Sequence, residues 1–296
     1  MHQKTFAEEN GASEIPSESV TVAARHLIRK MRGGTQAHLV RASDGHCYVV
    51  KFVNNPQHRR ILVNELISAV LIEHLGIASP RVKLIETTAE FLAANPHVHI
   101  QLRSQKVLPA PGLHLGSRYP GDPAQVAVYD LLPDPILKAV ENQSHFAGVL
   151  AFDKWVSNAD ARQSIFFRAK LKDWIPGSAA HSLKMGFVAQ MIDNGFVFDG
   201  PDWTFGDSAI QGLYFRPTVY RNIRGFADFE PWLSRIVHFP EEVIDRAVKA
   251  IPPAWLAGEE EALDVLLARL WKRRARVPDL IEASRKGRSD PFPAWK

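Results

Sequence analysis

Lys51 closes the apolar run Tyr48-Val49-Val50. A lysine at the end of a buried strand needs an anion to offset the loss of water around its charge. Glu65, fourteen positions later in a helix-like stretch, is a candidate partner. Downstream, Asn158-Ala159-Asp160-Ala161-Arg162-Gln163 joins an apolar helical segment, Phe146 to Val156, to the strand-like run Ser164-Ile165-Phe166-Phe167. Further on, Phe187 to Ile192 leads as a strand into Asp193-Asn194-Gly195. Phosphoryl transfer from ATP asks for such parts. It needs a cation on the phosphates, carboxylates and amides that hold metal, and a carboxylate that positions or deprotonates the acceptor hydroxyl. Lys51, held by Glu65, suits the first task, and Asp160 suits the last. Asn158 beside Asp160 is placed to orient the loop or substrate, Arg162 to bind phosphate, and Asp193 to hold Mg²⁺ through hard carboxylate oxygens. Gly33, Gly34, Thr35 and Gln36 offer backbone N–H groups that can cover phosphates, although a Gly-Gly pair is a weak signal. Each feature has a plainer reading: an exposed edge-strand lysine, an Asx turn at Asn158-Ala159-Asp160, a β-turn after Ile192. Asp153, one turn before the loop, is better suited to brace it than to react.

In order, these residues resemble the HipA-like kinase family of bacteria, distant relatives of protein kinases and phosphoinositide kinases. The resemblance runs over residues 30–200. It is carried by Gly33-Gly34-Thr35-Gln36, Tyr48-Val49-Val50-Lys51-Phe52, Val63-Asn64-Glu65-Leu66, Gly116-Ser117-Arg118-Tyr119-Pro120, Phe152-Asp153-Lys154-Trp155 with Asn158-Ala159-Asp160, and Ile192-Asp193. It implies that Lys51 contacts ATP, that Asp160 is catalytic and that Asp193 binds Mg²⁺. One departure stands out. The family's pattern places an Asn five residues after the catalytic Asp as a second metal ligand, and here that position is Ile165. Gln163 or Ser164 can substitute, Gln163 being preferred because its amide oxygen reaches further; otherwise one metal is bound, or the chain is a degenerate kinase. The Asp-Phe-Gly of protein kinases is Asp193-Asn194-Gly195 here. A partner-binding domain of the toxin type does not fit before residue 30.

The elements that must position these residues follow from the pattern. Residues 1–20 are polar and read as a flexible tail. Val20 to Met31 fits a helix or a first strand. The following residues alternate as a strand, Ser43-Asp44-Gly45 is a hairpin turn, and Cys47 to Val53 returns. Arg59 to Gly76 has helical periodicity with Ile61, Leu62, Leu66, Ala69, Val70 and Leu75 on one face. Arg81 to Ile85, His97 to Leu102 and Leu113 to Leu115 read as strands, Leu131 to Val140 and Ser144 to Val156 as helices, and 169–185 as an insert. Residues 229–250 and 259–275 form amphipathic helices before a polar tail. The expected fold is α+β and two-lobed, protein-kinase-like. A small antiparallel-sheet lobe with one helix (21–115) binds nucleotide. A mainly helical lobe (116–285) carries the catalytic loop and the metal carboxylate, and 286–296 form a tail.

The chain of 296 residues has 46% hydrophobic and 23% charged residues and a formal net charge of +4. These are ordinary globular values, compatible with a phosphate-bearing ligand. One cysteine, Cys47, excludes an internal disulfide. No apolar run approaches a bilayer span and no signal peptide is seen, so a soluble cytoplasmic protein without membrane partners is expected. There is no Gly-x-x-x-x-Gly-Lys-Ser/Thr loop, no His-Glu-x-x-His and no Gly-x-Ser-x-Gly. His97 and His99 lack companions at metal-ligand spacing. The basic run Lys272-Arg273-Arg274-Ala275-Arg276 suits a solvated helix end, which disfavours nucleic acid as a partner. The expectation is an ATP- and Mg²⁺-dependent transfer to a hydroxyl of a protein or small-molecule acceptor, Ser or Thr of a protein being favoured. The alternatives are a degenerate kinase acting as a nucleotide-binding or scaffold protein and, third, a basic nucleic-acid-binding protein.

Overall fold

The computed structural model describes residues 21–174, 184–287 and 289–296. The expected tail 1–20 and residues 175–183 of the expected insert lie outside them. The first unit is built of β1 (Val22–Lys30), β2 (His38–Ala42), β3 (Cys47–Lys51), helix α1 (Arg60–His74), β4 (Val82–Thr87), α2 (Ala89–Ala94), a small hairpin of β5 (Ile100–Leu102) and β6 (Gln105–Val107), and β7 (Gly112–Arg118). The stretch that fitted helix or strand is therefore a strand. Thr88 caps α2 by accepting a hydrogen bond from the Phe91 N–H at 3.1 Å, so this unit has two helices rather than the expected one.

The sheet is also more than a small antiparallel one. Its strands close into a barrel in the order β1-β2-β3-β7-β4. Closure depends on one parallel pair, Val22 opposite Ile85 and Ala23 opposite Glu86, while the other neighbours are antiparallel. Val40, Tyr48, Val50, Phe52 and Ile85 form its core with Phe91 and Leu92 from α2. Strand β7 runs to Arg118, three residues past the boundary expected at 115, because its last residues still pair with β3 and β4.

Helix α1 was expected to be amphipathic. Instead, all residues from Ile61 through Ser68 are buried, since α1 lies in one core with Leu84 and Leu115 of the barrel and with Phe146, Leu150, Ile236 and Ile244 of the helical unit. That unit contains α3 (Asp134–Leu137), α4 (His145–Val156), β8 (Gln163–Lys170), β9 (Met185–Ile192), α5 (Trp232–Val237), α6 (Glu241–Lys249), α7 (Pro253–Leu256), α8 (Glu260–Arg273) and α9 (Val277–Arg285). Helix α4 is buried at every position, its charged Asp153 and Lys154 included. Gly148 makes this packing possible, because a Cβ there would stand 2.4 Å from the Trp232 ring. Strands β8 and β9 pair over their full length from Gln163–Ile192 to Lys170–Met185, so part of the expected insert is regular hairpin. The expected polar tail is docked: Phe292 is buried and packs on Tyr220 and Phe229.

Candidate active site

The barrel, α1 and the β8–β9 hairpin deliver their charged residues to one place. Lys51, last residue of β3, donates to Glu65 Oε1 of α1 at 2.5 Å and to Asp193 Oδ1 at 2.8 Å. Fourteen residues separate the first pair and 142 the second, so the strand lysine, helix acid and strand-end carboxylate meet only in the folded chain. The side chains of Lys51 and Glu65 are 10% and 4% exposed, whereas that of Asp193 is 34% exposed. The open corner of the group is therefore Asp193. Burial alone would push the Lys51 amine down, but the two carboxylates outweigh it and hold it above its ordinary range. Asp193 is held down, first by the charge of Lys51. Burial pushes Glu65 up and Lys51 opposes that push.

Asp160 is exposed on the loop that follows α4. Its Oδ1 accepts from the Ala161 N–H at 2.7 Å, and its own N–H donates to Asn158 Oδ1 at 3.2 Å. Asn158 is buried and donates from Nδ2 to Asp153 Oδ1 at 3.0 Å. It shapes the loop and does not face a ligand. The same is true of Arg162, expected to bind phosphate. Its side chain and that of Asp153 have no exposure. Arg162 grips Asp153 through Nη2 and through Nε at 2.9 Å, and donates from Nη1 to Ile192 O at 2.8 Å and Asn194 Oδ1 at 2.9 Å. Four of its five N–H groups are engaged within the fold, so the guanidinium ties the Asp160 loop to the segment around Asp193. Asp153 takes the bracing role expected of it.

A second bond pattern fixes the loop from outside. Gly212 N–H donates to Asp160 O at 3.1 Å, and Arg162 N–H donates to Leu213 O at 3.2 Å. Gly212 has φ +70°, and a Cβ there would stand 2.2 Å from the Asp153 Cβ, so a side chain is excluded. Sequence reasoning missed this residue; a glycine in an irregular stretch carries no partner in its spacing.

The missing Asn has a geometric explanation. Ile165 lies in the body of β8, opposite Gln190, whereas Gln163 begins the strand opposite Ile192, next to Asp193. The loop after Asp160 is short, so counting five residues overshoots it and lands in the sheet. Gln163 is exposed there, while Ser164 is buried.

The Gly33–Gln36 segment connects β1 to β2. Gly33 has φ +117°. Gln36 is committed to the β5 hairpin: its Oε1 accepts from Gln101 N–H and Lys30 Nζ, both at 2.8 Å, and its Nε2 donates to Gln101 O at 2.7 Å. Thr35 is buried. Two cavities of about 300 and 160 Å³ share Asn222 in the helical unit, and neither is lined by any residue of this set; ion pairing, not cavity volume, marks the site.

Residues 25–166 match the family model of HipA-like kinases. That span includes Lys51, Glu65, Asn158 and Asp160, and Asp193 lies beyond it. No curated protein matches the sequence. Among solved structures, the Golgi casein kinase with Mn/ADP bound is similar with TM-score 0.50 at 12% identity, covering 91% of this chain and 75% of that one. Hydra Fam20 with sugar is similar with TM-score 0.51 at 12% identity, covering 90% and 85%. At this identity the likeness concerns the fold. Over residues 25–166, just under half of its length, the chain is similar to the HipA-like kinase family, on a fold it shares with the Golgi casein kinase.

Proposed function

We propose that this protein is an ATP- and Mg²⁺-dependent phosphotransferase, moving the γ-phosphoryl group to a hydroxyl, with Ser or Thr of a protein as the favoured acceptor. The observation that carries the reading is Lys51 bonded at once to buried Glu65 and to half-open Asp193. A structural ion pair would not need the third member, or need it open to solvent. Lys51 acts as a resident cation for Asp193 and turns to the phosphates when nucleotide enters. Gly33 and Gly34 would offer them backbone N–H groups.

The residues fit Mg²⁺ of the kind that arrives with nucleotide. Among the described residues no group of three or more His, Cys, Asp or Glu could hold a metal, and Mg²⁺ ordinarily takes one or two carboxylates and completes its shell with phosphate oxygens and water. Asp193 and Gln163 would hold it, and it would neutralise charge on the transferred group. The similar kinase structure with Mn/ADP supports nucleotide with a divalent ion. In the transfer, the bond from the γ-phosphorus to the ADP oxygen breaks and one to the acceptor oxygen forms. The acceptor's proton passes to the exposed carboxylate of Asp160. Asn158, Arg162 and Gly212 keep that carboxylate in place without touching substrate.

The test is thermal unfolding with ATP, with and without Mg²⁺, on the native chain, Lys51→Met and Asp193→Ala, since ligand bound to the native state raises its stability by mass action. A Mg²⁺-dependent rise lost in both variants is expected. No rise at millimolar ATP would reject the reading. A rise without phosphoryl transfer to any protein of a cell extract, or to water, would leave a nucleotide-binding scaffold.

A further inference from the structure

Helix α1 carries two stripes of residues spaced four apart, which face the same side of a helix. One is Ile61 and Glu65. Glu65 holds Lys51, and Ile61 packs so closely on Gly195 that a Cβ there would meet its Cγ2 at 2.6 Å. The other stripe is Arg60 and Asn64, and none of the chemistry above uses it. Asn64 is completely buried. Its Nδ2 points at three carbonyls, Gly195 O at 2.7 Å, Val197 O at 3.0 Å and Gly200 O at 3.0 Å. Its Oδ1 accepts from the Trp203 indole N–H at 2.8 Å. An amide has two hydrogens, so one is shared between two of these carbonyls, and its capacity is fully used. All four partners belong to the loop that follows Asp193. Arg60 reaches the same loop: Nη1 donates to Pro201 O at 2.6 Å and the guanidinium lies 4.2 Å from the Trp203 ring centroid. Its Nε is paired with Glu259, just before α8.

Within that loop, Val197 N–H donates to Asn194 O at 3.3 Å, Gly200 N–H to Phe196 O at 3.2 Å and Thr204 Oγ1 to Asp199 Oδ2, and its backbone is strained. Asp193, Phe198, Asp199, Trp203 and Phe205 have φ between 57° and 66°, and Gly200 has φ 66°. Left-handed backbone is unfavourable for each of the five residues with a side chain, and such a conformation persists only where surrounding contacts fix it. Contacts from α1 fix it, together with bonds from Ala159 N–H to Phe196 O at 2.9 Å, from Asp199 N–H to Ser157 O at 3.0 Å and from Arg269 Nη1 to Trp203 O at 3.0 Å. The same helix thus holds Lys51 through Glu65 and the Asp193 segment through the neighbouring Asn64.

We propose that Asn64, assisted by Arg60, is a positioning residue: it locks the loop after Asp193 to α1, so that Asp193 and the Lys51–Glu65 pair form one rigid body before any ligand binds. The positioning of metal and nucleotide rests on the phosphotransferase reading, whereas the lock itself does not.

The experiment uses the full chain, as Asn64→Asp and Asn64→Leu. Aspartate keeps an acceptor for Trp203 but turns a carboxylate on three carbonyls; leucine keeps the volume and removes the polar group. Amide hydrogen exchange is read first. Loss of two or so hydrogen bonds to the loop should speed exchange across 194–205 by about 10- to 100-fold in both variants, with the 66–72 amides of α1 unchanged. Unchanged exchange in 194–205, or equal acceleration in α1, would overturn the lock. Nucleotide binding is read second. The variants should lose about tenfold or more of the affinity that Mg²⁺ adds for ATP, while ATP without metal binds within about twofold of the native chain. Equal loss with and without metal would overturn the positioning role. If the native chain shows no ATP binding, the phosphotransferase reading and the positioning role fail together, and hydrogen exchange still decides the lock.

Discussion

Two buried ion networks stand side by side in this molecule, each built around one basic side chain bound to carboxylate. In one, Arg162 and Asp153 have no exposed side-chain surface, and Asn158, Ile192 O and Asn194 complete the bonding. In the other, Lys51 and Glu65 are nearly as deep, but the third member, Asp193, is open. The sealed network is satisfied by the protein alone. The open one has a lysine whose bonds can be exchanged for those of a ligand. Arginine suits the first, because its planar fork matches a carboxylate in two places; lysine suits the second, as a point charge on a flexible stem. A charged residue beside a catalytic loop is therefore not evidence of a ligand contact. The accessibility of its partner decides.

The sharpest test of this difference is Arg162→Met, which leaves Asp153 buried with the Asn158 amide but without its ion partner. It should cost about 3–5 kcal/mol in denaturant unfolding. Lys51→Met should cost only about 1–2 kcal/mol, because Asp193 turns to water and Glu65 can take a proton, while abolishing ATP-induced stabilisation. Equal losses of stability would erase the distinction between the two networks. Gly212→Ala comes next. It forces a Cβ against Asp153 at a backbone angle that favours glycine, and about 1–3 kcal/mol should be lost. Transfer activity should fall with it, since the Asp160 loop shifts.

Acid probes the fold behind both networks. Burial holds the imidazoles of His38, His114 and His145 down to about 4 from an ordinary 6.5. His114 Nδ1 accepts from Val53 N–H at 3.1 Å and His145 Nδ1 from Ala78 N–H at 2.9 Å, so protonation also breaks bonds. The unfolded chain binds more protons than the folded one between these values. The stability these neutral residues contribute is complete above pH 6.5 and lost as pH falls toward 4. Unfolding free energy against pH should show a slope approaching three protons there, and a flat profile would contradict the buried neutral state. The smallest effect on stability belongs to Asp160→Asn, within about 0.5 kcal/mol because the residue is exposed. Its transfer activity should nevertheless fall by about 10²–10⁴ if it is the base. Retained activity would move that role elsewhere.

Much of this was legible because the code was local. The apolar run into Lys51, the helical period around Glu65 and the strand before Asp193 all reflect pattern within ten or so residues, and the Lys51–Glu65 pairing follows from a strand and a helix that pack. Arg162 was misread for the opposite reason. A polar loop looks solvated in one dimension, and only the folded chain shows Gly212 and the β8–β9 hairpin closing over it. The barrel escaped notice because its closure depends on β1 and β4, which are distant in sequence and paired through two residues each. Asn64 was seen only as a letter beside Glu65, since all its partners lie more than 130 residues downstream.

Those long reaches have a consequence for how the protein is made. Lys51 waits for Asp193, Asn64 for Gly195, and Arg59 and Arg60 for Glu259, the last 199 to 200 positions away. At a synthesis rate of about 5–20 residues per second, the barrel strands precede Glu259 by on the order of ten seconds. During that interval the nascent chain has a complete sheet, which covers one side of α1, but the apolar residues of α1 that pack on the helical unit have nothing to cover them. The helix that unifies the finished site is thus the adhesive surface of the unfinished one, and the ribosome-bound chain is most in need of a chaperone between the emergence of β7 and that of α8.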